Sequence, residues 1–192
     1  MKVIAFNGSP KRQGNTAQAL QIVLGELQSA GIETELIQLG GQKVLGCLGC
    51  RKCMETKNTH CIRTDDDVNL YIDKMLEADG ILIGTPVYTS NVTAEVKAFI
   101  DRVCFVGKAN DFMFQKKVGA PVVVATKGGA TFAYSAINLM FGISQMITIG
   151  SIHWNMALGR DPGDIWKDEE GIRSFQVLGK NISWLLQKLN SR

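Results

Sequence analysis

Residues 3–16 read VIAFNGSPKRQGNT. Val3 to Phe6 form a short unbroken apolar run, the pattern of a strand covered on both faces in a parallel sheet, and Asn7-Gly8 ends it. A helix is expected from about Asn15 to Ser29, because Ala19, Leu20, Val23, Leu24 and Leu27 recur at intervals of three and four and Gly31 stops the run. Between strand and helix lies GSPKRQGNT, residues 8–16. Gly8 and Gly14 let the main chain approach an anion closely. Ser9, Asn15 and Thr16 add side-chain donors, Lys11 and Arg12 add long-range attraction, and free N–H groups at a helix start favour negative charge. The loop lacks the GKS/GKT ending of a nucleotide-triphosphate loop and the GxGxxG of a dinucleotide loop. A small monophosphate ligand fits it better than the alternative, an ordinary capped turn between strand and helix.

Working outward, the same alternation continues. Glu33 to Leu39 alternates polar and apolar residues as a strand nearer a sheet edge would, and a second helix should begin near Asp66. Gly80 to Gly84 (GILIG) reads as a third strand, followed by a helix near residues 93–103. Pro121 to Thr126 (PVVVAT) reads as a fourth strand, with a helix within residues 133–147. Ser151 to Leu158 is the candidate fifth strand. From about Asp168, Ile172, Phe175, Leu178, Ile182, Leu185, Leu186 and Leu189 mark one stripe of a last helix. Strands alternating with helices imply an α/β fold with a doubly wound parallel sheet. Five strands favour the flavodoxin-like order 2-1-3-4-5, as a single domain over residues 1–192 with a cysteine-rich loop inserted at 46–62. In that order the chain reverses between strands 1 and 3, so a crevice opens at the carboxyl ends of the strands. The loops 7–16, 85–91 and 126–131 should meet there.

The inserted loop contains CLGCRKCMETKNTHC, residues 47–61, with Cys47, Cys50, Cys53 and Cys61; the only other cysteine is Cys104. Three readings compete. Short two-residue gaps are how one loop wraps an iron–sulfur cluster. Structural zinc more often takes two separated CxxC knuckles. The third reading is a loop of reduced thiols with no metal. A chain of 192 residues buries enough surface to need no disulfide staples. Five cysteines is an odd number, and Met1-Lys2 runs directly into the first strand without a leader pattern. A reducing cytoplasm is therefore the expected location. The net charge of +3 argues against a nucleic-acid partner. The longest apolar region, Ile137 to Ile152, is interrupted by polar residues and glycines, so no membrane span is expected.

The loop GSPKRQGNT resembles the GSPRxxGNT phosphate loop of the NAD(P)H-dependent FMN reductase group of flavodoxin-like proteins, with Lys11-Arg12 in place of the commoner Arg-Lys order. The resemblance continues through DDD (65–67), GTPVY (84–88), KAFIDR (97–102) and GRDPGD (159–164) to DEEG (168–171), and so covers most of the chain. It implies FMN as cofactor. It also implies that Ser9, Lys11, Arg12, Gly14, Asn15 and Thr16 hold the phosphate. Thr85, Pro86, Val87 and Tyr88 should border the ring and ribityl chain, and Thr126, Lys127, Gly128 and Gly129 should close the other side. The CxxCxxCx₇C spacing resembles the compact motif of the iron–sulfur flavoprotein family, with a last gap at the long end of its range. That implies one 4Fe–4S cluster on Cys47, Cys50, Cys53 and Cys61. It further implies electron transfer from a reduced carrier, ferredoxin or NAD(P)H, to a small-molecule acceptor such as oxygen or peroxide, in a homodimer or homotetramer. Two rivals remain open at this point. One is a cluster-free NAD(P)H-dependent FMN or quinone reductase; the other is a zinc-stabilised or thiol-switching flavin-binding protein without turnover.

Other residues read as structural. His60 is expected to face solvent, His153 to be packed, and Cys104 to be a small core residue. Asp65, Asp66 and Asp67 look like charge at a helix start. Arg51 and Lys52 would favour a reduced cluster or simply be solvated. The segment 137–149 is either an association surface or core.

Overall fold

The computed structural model describes residues 1–190; residues 191 and 192 of the expected domain lie outside the described residues. Its elements follow the expected alternation: β1 (Lys2–Asn7), α1 (Asn15–Ser29), β2 (Glu33–Gln38), α2 (Lys52–Thr56), α3 (Val68–Glu77), β3 (Gly80–Pro86), α4 (Ala94–Ala109), β4 (Val118–Ala125), α5 (Ala130–Ile143), β5 (Ile147–Thr148), β6 (Met156–Leu158) and α6 (Glu169–Asn190). The strands pair in parallel in the order β2-β1-β3-β4-β5, with β6 also on β4. β1 lies between β2 and β3, pairing Val3 with Thr34 on one side and with Gly80 on the other. The reversal between β1 and β3 is therefore present.

Alternate residues of the buried strands feed two cores, as the two-residue period of a strand requires. On one face Ile4, Phe6, Ile81 and Ile83 pack under α3, α4 and α5. Phe6 is the centre of that layer, with ring centroids 4.7 Å from Phe99 and 5.8 Å from Tyr71. On the other face Val3, Ala5, Leu82 and Val122 meet Leu20, Val23 and Leu27 of α1 and Phe175, Leu178 and Ile182 of α6. The edge strand β2 carries Glu33 and Glu35 towards Lys2 and Lys74, charges that discourage pairing with another sheet.

The fifth strand departs from expectation. In place of one strand over residues 151–158, β4 is joined by two short pieces, Ile147–Thr148 and Met156–Leu158. Polar groups on the intervening segment pull it away from the ladder. Ser151 Oγ lies 2.6 Å from Asn155 Oδ1 and 2.8 Å from Ser174 Oγ on α6, and Asn155 Nδ2 donates to Ile149 O. His153, Trp154 and Asn155 turn through positive φ there, which a continuous strand does not allow. His153 is accordingly exposed rather than packed, and its Nε2 meets Glu170 Oε1 at 2.5 Å. Segment 137–149 divides between the two expectations: Ile137, Met140 and Phe141 are core, whereas Leu139 and Ile143 face outward. No helix is long and apolar enough to cross a membrane among the described residues.

Candidate functional site

Two sites lie on this frame. The first is a cleft at the carboxyl ends of β1, β3 and β4, walled by Lys11, Asn15, Thr16, Pro86, Val87, Tyr88, Thr126 and Arg160 among others. Its floor is the loop after β1. Gly8 N donates to Gly84 O at 2.7 Å, and Thr93 Oγ1 donates back to Gly8 O at 2.9 Å, so the loop is tied to β3 and to the start of α4. A Cβ on Gly8 would stand 2.7 Å from Gly84 O, which is why no larger residue fits. Ser9 is buried and organises the turn, its N–H donating to Asn7 Oδ1 and its Oγ accepting from Lys11 N.

Gly14 precedes α1 without a side-chain cap. The amides of Asn15, Thr16 and Ala17 meet no acceptor among the described residues, although all three residues are buried. Buried donors at a helix start, with Lys11 at the mouth, are what a phosphate group satisfies. The Asn15 side chain is turned elsewhere. Its Nδ2 donates to Asp161 O at 2.9 Å and its Oδ1 accepts from Gly163 N at 2.9 Å, so it ties down the 159–165 loop. That loop brings Arg160 to the cleft, a cation the sequence reading passed over; the signal was the GRDPGD stretch, which places an arginine straight after a strand. Asp164 holds the loop's shape by accepting from Asp161 N (2.8 Å) and Lys167 Nζ (2.7 Å). The Lys167 hydrogen bond, then that from Asp161 N, lower its carboxyl to about 2.

The other wall is a pair of interlocked turns. Tyr88 and Asn91 exchange both backbone hydrogen bonds across Thr89 and Ser90, both at positive φ. Gly129 (φ 82) packs against Ser90, where an added Cβ would lie 2.7 Å from Ser90 Oγ. Tyr88 is half exposed and free to lie along a planar ligand. Thr85 is fully buried; its hydroxyl donates to Pro86 O and accepts from Thr93 N, bracing the wall from behind. Arg12, Lys127 and Gly128 are exposed beside the cleft but do not line it.

The second site is the pocket bordered by Cys47, Cys50, Cys53 and Cys61, with Arg102 and Phe105 of α4 behind them. All the cysteines are unpaired thiols. Burial raises the Cys53 thiol, and the neighbouring Cys61, Cys47 and Cys50 raise it further, so the four sulfurs act on one another. Among the described residues, no three His, Cys, Asp or Glu side chains are drawn together as they would be round one metal ion. The short α2 lies between Cys50 and Cys61, entered and left through positive-φ residues Arg51 and Lys57. Lys52 pairs with Glu55 at 2.7 Å. His60 is only partly exposed and its Nε2 meets Asp73 Oδ1 at 2.7 Å, so it is not a free loop histidine. Cys104 lies outside the pocket, its thiol pushed up to about 11 by burial.

One expectation at this site needs correction. Asp65 and Asp67 are exposed as helix-start charges should be, but the Asp66 side chain is fully buried against an equally buried Arg102 at 2.5 Å. Asp66 also accepts from Leu45 N at 2.8 Å. The guanidinium reaches Leu45 O (3.3 Å) and Arg63 O (3.2 Å), thereby clamping both ends of the cysteine loop. Its Nε alone has no hydrogen-bond partner. Sequence reasoning missed Arg102, though its place on the apolar stripe of α4 between Phe99 and Val106 was a visible signal.

Comparison with known proteins places the chain in a family. The family model described as NADPH-dependent FMN reductase matches residues 1–161. An iron–sulfur flavoprotein of Methanocaldococcus jannaschii is 35% identical over 192 residues, covering 95% of this chain and 96% of its own. The chain belongs to the NADPH-dependent FMN reductase family. Within it, the chain groups with the iron–sulfur flavoproteins, of which one from Methanosarcina thermophila is 31% identical over 82% of this chain and 84% of its own. Among solved structures, an NAD(P)H:quinone oxidoreductase from Methanothermobacter marburgensis matches with a TM-score of 0.70 at 16% identity, covering 95% of this chain and 96% of its own. That match shows the flavodoxin-like fold. The protein is a flavin-dependent oxidoreductase with FMN as its family's cofactor.

Proposed function

We propose that this protein holds FMN in the cleft and a 4Fe–4S cluster on Cys47, Cys50, Cys53 and Cys61, and passes electrons between a reduced carrier, ferredoxin or NAD(P)H, and a small acceptor. The observation that carries this reading is that four unpaired thiols within one fifteen-residue stretch border one pocket backed by a buried arginine. The residues suit both groups. The uncapped amides at the start of α1, with Lys11 and Arg160, would take the phosphate, and Pro86, Val87 and Tyr88 would face the ring. A cubane gives each thiolate its own iron, whereas zinc needs all its donors within about 2.3 Å of one ion. Three cysteines at two-residue gaps with a fourth beyond them suit the cubane better.

A bound flavin exchanges electrons in ones or twos and an iron–sulfur cluster in ones, so together they would join hydride donors to single-electron carriers. The chain's own part is to orient and separate. Pro86, Val87 and Tyr88 of the turn 85–91 and Thr126 of the turn 126–131 would border the ring, and apolar Val87 and Val124 would limit water beside it. Among the described residues none lines both sites, so the two groups would be held apart within one chain. A homodimer or homotetramer would add a second route, with one subunit's cysteine pocket facing its partner's flavin. We place this activity in a reducing cytoplasm, where five thiols remain unpaired.

The test is anaerobic purification followed by iron, sulfide and flavin counts with an absorption spectrum. About four irons and four sulfides per chain, a broad shoulder near 400 nm beyond flavin, and bleaching faster with reduced ferredoxin than with NADPH are expected. A flavin-only protein bleached rapidly by NADPH would establish the cluster-free reductase in its place. Zinc in place of iron, with reductase rates unmoved by Cys50→Ser, would establish the stabilised or thiol-switching protein.

A further inference from the structure

We propose that Arg102 sets the reduction potential of the centre held by the four cysteines, by donating a hydrogen bond from Nε to sulfur. This inference rests on the cluster reading above and goes beyond it by assigning a positioning and tuning role to a residue outside the ligand set.

The argument starts from burial. The Arg102 side chain has no exposed surface, and a guanidinium without water must find acceptors for its N–H groups in the protein. One terminal nitrogen is satisfied by Asp66 and Leu45 O, the other by Arg63 O. Nε is buried and meets nothing. A buried donor without a partner is rare in a native protein and calls for a group that completes it. Arg102 borders the cysteine pocket, and the other side chains there are aliphatic, aromatic or cationic. None of those can accept. The four cysteine sulfurs, and any sulfide they enclose, are the only side-chain-level acceptors the pocket offers.

The consequence follows from charge. Asp66 lies against Arg102 and offsets its formal charge, so the remaining influence on the pocket is the directed N–H dipole. A donor aimed at sulfur favours the more negative, reduced centre and raises its potential. The same side chain fixes Leu45 and Arg63, which flank Cys47 and Cys61, and so holds the donor and the ligands in one frame.

The test separates donor from charge. Arg102→Lys places a methylene where Nε stands and an ammonium where the guanidinium carbon stands, keeping a cation for Asp66. Holoprotein reconstituted anaerobically with ferrous iron and sulfide should keep its iron content in this variant, while its reduction equilibrium becomes about tenfold less favourable, a fall of 59 mV in an EPR-monitored titration. In protein carrying ¹⁵N-guanidino arginine, with Arg51→Lys and Arg63→Lys to remove the other arginines at the pocket, the reduced centre should show a ¹⁵N coupling that Arg102→Lys abolishes. An unchanged potential with full iron overturns the role of Arg102 while leaving the cluster reading intact. If Arg102→Lys does not retain iron, the coupling in the Arg51→Lys/Arg63→Lys protein decides: its presence supports the bond and its absence overturns it. Failure of the unaltered protein to take up iron and sulfide overturns both readings together.

Discussion

Replacing Asp66 by alanine is the sharpest test of how the cysteine loop is anchored. Both partners of the Asp66–Arg102 pair are fully buried, and their closest atoms lie 2.5 Å apart. Removing one member leaves the other charge buried without compensation, a change worth about 3–5 kcal/mol. The lost acceptor for Leu45 N acts in the same direction but is not additive, because both bonds use one carboxylate oxygen. The exposed Lys97–Asp101 pair on the same helix provides the contrast, since such i,i+4 pairs contribute about 0.3–0.5 kcal/mol. Against a total stability of about 5–15 kcal/mol, Asp66→Ala should be severe and Asp101→Ala nearly silent. Urea unfolding at one fixed FMN concentration keeps the ligand's contribution constant to first order. With a slope of about 2 kcal/mol/M, the midpoint should fall by about 2 M for Asp66→Ala and by less than about 0.3 M for Asp101→Ala. The double variant Asp66→Ala/Arg102→Met should recover part of the loss, because no charge is then stranded. A loss below about 1 kcal/mol for Asp66→Ala would refute the reasoning, since it would mean that the guanidinium reaches water.

Two further outcomes follow from the cleft. Lys11→Ala and Arg160→Ala should each weaken FMN about ten- to a hundredfold, the value of a charge-assisted hydrogen bond, while leaving riboflavin affinity unchanged; flavin-fluorescence titrations with the two ligands check this. Asp164 is held at about 2, below its ordinary 3.8, so its contribution to the 159–165 loop is complete above pH 4 and is lost as the pH falls from about 4 towards 2. Amide NMR shifts of Arg160 and Asp161 should report that transition, and Lys167→Ala should move its midpoint upward because the Lys167 hydrogen bond is its largest cause.

The legible parts of this chain were those in which local pattern and tertiary packing ask for the same thing. The bounds of α1 are as its periodicity and Gly31 imply, and the strand order follows from counting strands between helices. The fifth strand misled because its apolar residues are real, but Ser151 and Asn155 satisfy each other and α6 instead of the ladder. α2 was unreadable: KCMET has no apolar face to bury, and the positive-φ residues that bound it are Arg51 and Lys57 rather than glycines. Asp65, Asp66 and Asp67 look alike in sequence, and only packing shows which of the three turns inward. Arg102 went unread although it is a charge standing among the apolar positions of α4, because only packing shows that it turns inward with them.

That placement of Arg102 gives α4 a meaning beyond support of the sheet. Its first residue follows Thr93, whose hydroxyl holds Gly8 at the phosphate loop. Arg102 and Phe105, at the cysteine pocket, come nine and twelve residues after Thr93, which at 1.5 Å per residue puts them about 14 and 18 Å further along the helix axis. One rigid rod therefore runs from the support of the phosphate loop to the cysteine pocket, and its length sets their separation. A loop joining the same two points would fix neither the separation nor the direction in which Arg102 faces. Helical spacing fixes both, since Phe99, Arg102, Val103 and Val106 must all meet the interior at once. The buried arginine is thus kept at the border of the cysteine pocket because three apolar neighbours on the same stripe hold the helix at that rotation.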